Sequence, residues 1–125
     1  MNENDISYVI RGAIFRVYNN LGPGLLESVY VAALIYELEN EGMEIRANAA
    51  VPVFYGGEKL DPAFRIDILV NELVLIEVKS VEQLAKVYHK QVITYLKLSG
   101  LKLGLLVNFN TDDIQKSIFR KVNGL

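Results

Sequence analysis

The chain has 125 residues, 51% of them hydrophobic, with 13 basic against 15 acidic side chains and a net charge of -2. That length fits one domain with a single core built without disulfides. With no cysteine and one histidine, His89, thiolate catalysis, zinc–thiolate sites and multi-histidine metal sites are excluded.

The mildly acidic balance argues against a tight nonspecific nucleic-acid binder, since such proteins carry a basic surface. Carboxylates gathered around a cation would leave that class open. The N-terminus carries Glu3 and Asp5 and no basic n-region, which predicts no signal peptide. No apolar run approaches the roughly 18 residues of a membrane span. A cysteine-free chain of this kind fits a cytoplasmic location.

Residues 4–20 read as a helix, with Ile6, Val9, Ile10, Ala13, Ile14 and Val17 at helical spacing. Leu21, Gly22, Pro23 and Gly24 break it. A second helix over residues 26–41 stops at Gly42; being apolar nearly all round, it is expected to be well buried. Strand character follows over 43–55, then a turn at Gly56 and Gly57. Two β-branched runs, 64–70 and 73–80, flank the polar Asn71 and Glu72 and predict a hairpin. A helix over 82–99 closes at Gly100, and strands over 103–109 and 114–122 end the chain. The order ααβββαββ predicts an α/β protein: an antiparallel meander, a crossover helix, and a mixed sheet flanked by helices.

The hairpin carries the chemistry. Its second arm ends in Glu77-Val78-Lys79, and side chains two apart on a strand share a face. Glu77 and Lys79 therefore lie side by side on the face of Leu75. Charge buried there costs several kcal/mol unless it is paired or bound. Asp67 on the first arm adds a second acid. A plain Asn71-Glu72 turn would set Asp67 opposite Ile76 and leave the two acids on opposite faces. Convergence needs either a three-residue loop pairing Val70 with Val74, or a bulge. A bulge is favoured, because the loop would impose positive φ on a non-glycine residue. On these residues alone, an ordinary half-exposed ion pair accounts for Glu77 and Lys79 without any chemistry.

Polar groups interrupt two apolar faces. On the helix after the hairpin, Leu84, Tyr88, Gln91, Tyr95 and Leu98 form one stripe, with the Gln91 amide in its middle needing partners. His89 lies off that stripe and reads as a surface histidine. On the second helix Glu27 stands in the first turn, on the face of Tyr30, Leu34 and Leu38. The helix dipole explains a carboxylate there, and a third acid near a metal is the alternative.

Gly24, Glu27 and Tyr30 match the signature of the GxxExxY proteins, grouped with the PD-(D/E)XK nucleases. Asp67, then Glu77-x-Lys79, then His89-Lys-Gln91-x-x-x-Tyr95, then the run from Gly104 to Phe109 extend the resemblance over nearly the whole chain, although Ile66 stands where the name of the superfamily has proline. The resemblance implies a restriction-endonuclease-like fold hydrolysing phosphodiester bonds with Mg²⁺, or Mn²⁺. It makes Asp67, Glu77, the Val78 carbonyl and Glu27 the metal ligands, and adds Lys79, Gln91 and Tyr95 as catalytic residues. Gly24 and Tyr30 are read as structural. The expected partner is nucleic acid, DNA before RNA, with no membrane; a homo-oligomer is compatible. The alternatives are a catalytically latent nucleic-acid- or protein-binding module of the same fold, and hydrolysis of another phosphoester.

Overall fold

The computed structural model describes residues 1–61 and 63–125. Helix α1 (Glu3–Leu21) starts with a reciprocal cap: the Asn2 side chain accepts from the Asp5 N–H at 2.9 Å, and the Asn2 N–H donates to the Asp5 carboxylate at 3.2 Å. It ends where Gly22 and Gly24 take positive φ values that other residues resist. Helix α2 (Glu27–Asn40) runs back beside it, tied by Arg16 to Glu37 at 2.8 Å. The expectation that α2 is well buried is corrected. Tyr30, Leu34 and Leu38 are inside, but Val29 and Tyr36 are exposed. The helix lies against the sheet on one stripe only.

Strands β1 (Ile45–Val51), β4 (Phe64–Val70), β5 (Val74–Lys79), β6 (Leu103–Asn108) and β7 (Ile118–Val122) form one sheet in the order β1-β4-β5-β6-β7. Strands β2 (Phe54–Tyr55) and β3 (Glu58–Lys59) make a separate two-stranded ribbon. All pairings in the large sheet are antiparallel except β5 with β6, which the crossover helix α3 (Lys86–Ser99) makes parallel. The sheet is therefore mixed and covered on both faces. Val74, Ile76 and Val78 join Leu103, Leu105 and Val107 in the core under α1 and α2. Leu75 and Leu106 join Val92 and Leu96 in the core under α3. Burial on both sides explains why β5 and β6 read as unbroken apolar runs and not as alternating ones.

Gly104 sets the approach of α3. A Cβ there would meet Val92 Cγ1 at 2.9 Å and Leu75 Cδ1 at 3.0 Å. Gly104→Ala is expected to lower stability by about 1–3 kcal/mol, since overpacking forces neighbours off their rotamers. Chemical denaturation of the two proteins checks this; an unchanged midpoint would mean that α3 lifts off the sheet freely.

Three boundaries differ from the sequence expectation. The strand expected over 43–55 divides at Pro52, which has no N–H for the ladder, into β1 ending at Val51 and β2 of the separate ribbon. Helix α3 begins at Lys86, not near residue 82, because the chain leaving β5 is first held at Val81: its N–H donates to Asn108 Oδ1 at 3.0 Å, and its carbonyl accepts from Asn108 Nδ2 at 2.9 Å. Residues Ile114–Ser117 form a 3₁₀ turn and only the rest of that segment is strand. Side-chain bonds to the local backbone compete with the ladder here: Thr111 Oγ1 accepts from the Asp113 N–H and Ser117 Oγ donates to the Asp113 carbonyl, both at 3.1 Å.

The hairpin uses the three-residue loop, so the favoured bulge is corrected. Val70 pairs with Val74, Leu69 with Leu75 and Ile68 with Ile76. Asn71 and Glu72 take φ of 52° and 57°. Asparagine tolerates that conformation, and Asn71 is further held by Glu44, whose N–H it accepts at 2.7 Å and whose carbonyl takes the Asn71 N–H at 2.8 Å. Glu72 is gripped by Nε and Nη2 of the Arg46 guanidinium, at 2.8 and 3.1 Å. The Glu44 backbone just before β1 and the Arg46 side chain on β1 thus offset the strain that made the loop look unfavourable.

Candidate functional site

This register brings Asp67 opposite Glu77, one step past the last ladder pair, Ile68–Ile76. There the ladder opens. Asp67 Oδ2 takes the Val78 N–H at 2.9 Å, replacing a backbone acceptor with a side chain. On the other flank the β1–β4 ladder skips Asn48 and Asp67, and Asn48 sits at φ 51°. Both strands change face at that point. Ile45 and Ile68 pack toward α1 and α2, whereas Ala49 and Ile66 pack toward α3. Asp67 occupies the kink. A groove between α2 and β1 opens onto it, with Glu27, Ala32 and Asn48 among its walls.

Glu77 follows Leu75 on the α3 face and is 7% exposed. Its Oε1 has no hydrogen-bond partner. Burial, then the adjoining carboxyl of Asp67, push its pKa from 4.5 up to about 9, while Lys79 draws it back. The neighbouring acid side chains can share one proton; when both are ionised, Glu77 lacks a donor. A buried carboxylate left in this way is the costly case for a protein interior.

Lys79, half-buried, closes the same face. Its Nζ stands 4.3 Å from the centroid of the Tyr88 ring on α3. Tyr95 stacks on Phe64 at 4.3 Å, and its phenol pKa is raised by burial and by the charges of Glu77 and Asp67. Gln91 lies between the two tyrosines along α3, half-buried, without a side-chain hydrogen bond among the described residues. The expected stripe is rotated slightly: Val92 and Leu96 are the buried positions and Leu98 is 45% exposed. His89 packs edge-on to Phe119 at 4.7 Å. Burial, then the charge of Lys121, lower its pKa.

Glu27 reaches the end of β5, where its Oε2 accepts the Ser80 N–H at 3.2 Å. Ser80 Oγ donates to the Leu25 carbonyl at 2.6 Å, so the loop before α2 is fastened to the strand one residue beyond Lys79. Among the described residues, no three acidic or imidazole groups form one metal cluster. The expected three-acid arrangement is resolved into an Asp67–Glu77 pair with Glu27 at the rim. Gly24 and Tyr30 are structural. The Tyr30 hydroxyl donates to the Gly22 carbonyl at 2.6 Å and accepts from the Leu25 N–H at 3.1 Å, and its ring stacks on Phe109 at 4.3 Å.

An acid at a strand kink, then acid-x-lysine on the next strand of a mixed sheet, is the pattern of one nuclease group. The family model described as the PD-(D/E)XK nuclease superfamily matches residues 4–121. The chain belongs to that superfamily. As in its relatives, the sheet is of the restriction-endonuclease type. The crystal structure of SSO0001 is similar in fold, with a TM-score of 0.58 at 22% identity, covering 78% of this chain and 50% of that one. The chain thus spans about half the length of that protein. No curated protein matches it. Divalent metals are general among PD-(D/E)XK nucleases. No described helix of this superfamily member is long and apolar enough to cross a membrane.

Four residues around the site do not stand out in the sequence as functional. In the sequence Tyr88 reads only as part of a stripe, although its ring covers Lys79. Asn48 gave a signal, a turn-forming residue inside an Ala-rich strand. Asn108 gave another, as a polar end to an apolar strand. Ser80 gave none, because its role depends on a loop more than fifty positions away.

Proposed function

We propose that this chain is a divalent-metal-dependent phosphodiesterase that hydrolyses nucleic acid, DNA in the first place, and that it works in the cytoplasm. The observation that carries the reading is the unpartnered, buried Glu77 oxygen beside Asp67, with Lys79 on the same face. Two carboxyls and the Val78 carbonyl form an all-oxygen donor set of the kind hard cations take. The fit is to Mg²⁺ or Mn²⁺, held by Asp67, Glu77 and Val78, with Glu27 at the rim. When bound, such a cation polarises the phosphoryl oxygens and makes its water a nucleophile at neutral pH.

The residues supply the rest. Lys79 sets an ammonium beside the acids, where it orients the attacking water and balances charge building on the phosphoryl oxygens. Tyr95 keeps its phenolic proton near both acids and offers an O–H donor. Gln91 presents an amide between the tyrosines. Glu27, through Ser80, fixes the end of β5 relative to α2.

The test is cleavage of single-stranded, duplex and branched DNA, and of RNA, with Mg²⁺ or Mn²⁺ and with chelator. Metal-dependent cleavage that Asp67→Asn removes is expected. One observation favours a second reading, the latent binding module: Asp67 and Glu27 are each already engaged, by the Val78 N–H and the Ser80 N–H. Nucleic-acid binding without cleavage under any metal would decide for it.

A further inference from the structure

We infer that Tyr88 is the positioning residue for the Lys79 ammonium, holding it by the face of its ring. The inference rests on the phosphodiesterase reading for its consequence in catalysis, but the placement itself stands on the structure.

Lys79 is the last residue of β5, where the ladder with β4 has already opened. A lysine at a strand end has four rotatable bonds, and without a partner its ammonium would sweep a wide arc. The obvious partner is the carboxyl of Glu77, two positions back on the same face. Direct pairing there would occupy the acid that the metal needs. The described residues hold no ion pair for Lys79. Its close neighbour is instead the Tyr88 ring, at 4.3 Å from the centroid, well inside the range in which a ring quadrupole attracts a cation.

The ring is well placed for that task. It stands in the first turn of α3, whose Tyr88 N–H donates to the Ala85 carbonyl at 3.1 Å. The side chain packs with Leu84, Phe64 and Tyr95 against the core under α3. A carboxylate partner would take one or more of its three N–H donors and neutralise its charge. A ring face attracts the charge and leaves N–H groups to point at water or phosphate. Among the described residues the Tyr88 hydroxyl makes no hydrogen bond, so the ring alone is at work.

This reading separates substitutions that a packing role would treat alike. Tyr88→Phe keeps the ring and should keep turnover. Tyr88→Leu keeps apolar bulk and loses the quadrupole, and kcat should fall by roughly two- to thirty-fold, with KM little changed. A second readout needs no substrate. In a spectrum of protein carrying ¹³C-labelled lysine, the Lys79 ε-methylene protons should be shifted upfield by the ring current. The shift should persist in Tyr88→Phe and vanish in Tyr88→Leu. No upfield shift in the wild type, or equal kcat in Tyr88→Phe and Tyr88→Leu, overturns the inference. If the wild type cleaves nothing, the phosphodiesterase reading fails, and the proton shift alone still decides whether the ring holds the ammonium.

Discussion

Replacing Lys79 by alanine is expected to reduce metal-dependent cleavage by about 100-fold or more, the typical cost of losing one positioned charge from a phosphoryl or acyl transfer site. The fold should survive. Lys79 is half-buried at the end of β5, its backbone remains paired with Asn108 on β6, and its carbonyl still accepts the Phe109 N–H at 2.9 Å. Thermal unfolding and steady-state cleavage, measured on the same preparations, separate the two effects. Lys79→Arg should recover only part of the rate, since a planar guanidinium cannot place its charge where a compact ammonium stood. Undiminished turnover in Lys79→Ala would remove this residue from the mechanism.

The second large effect concerns Glu77 and pH. With its pKa pushed from 4.5 up to about 9 by burial and by Asp67, the folded chain keeps a proton that the unfolded chain releases. Between those values the native state binds more protons, so stability falls as pH rises. The contribution is complete below the unfolded value of 4.5 and gone once pH passes about 9. Its slope approaches about 1.4 kcal/mol per pH unit. Unfolding midpoints measured in chelator should therefore fall more steeply with pH for the wild type than for Glu77→Gln, which cannot ionise. Parallel curves would show that the carboxyl is not held protonated.

Metal should reverse the trend. A ligand that binds only the folded state adds RT ln(1 + [L]/Kd), about 2.7 kcal/mol at one hundred times Kd. Because binding must displace the Glu77 proton, the gain from millimolar Mg²⁺ or Mn²⁺ should grow with pH. An equal gain in Asp67→Asn would place the metal elsewhere.

Much of the architecture was legible because periodicity is local. The stripe from Ile6 to Val17 needs only its own spacing to declare a helix, and the apolar runs of β5 and β6 declare strands buried on both faces. Glu77-x-Lys79 reads as a same-face pair from the pleat alone. The burial of α2 was not legible, since an apolar composition does not say which stripe meets the sheet. Nor was the start of α3, because Asn108, 27 positions after Val81, holds the chain out of the helix.

What the sequence determined by itself is the kind of group present and its order along the chain: two acids, a lysine between a strand and a helix, and an amide and tyrosines at helical spacing. Those follow from side-chain chemistry and from the two backbone periods. Whether Asp67 and Glu77 meet was a tertiary decision. A difference of one residue in the loop turns every side chain to the other face, and the local sequence argued for the bulge. The choice fell to β1 and the residue before it: the Arg46 side chain grips Glu72 and the Glu44 backbone holds Asn71, in conformations that the hairpin alone would disfavour. The Tyr88 ring over Lys79 was decided in the same way, by how closely Gly104 lets α3 approach the sheet. Propensity acts within a few residues, whereas register and approach depend on neighbours brought in from across the fold.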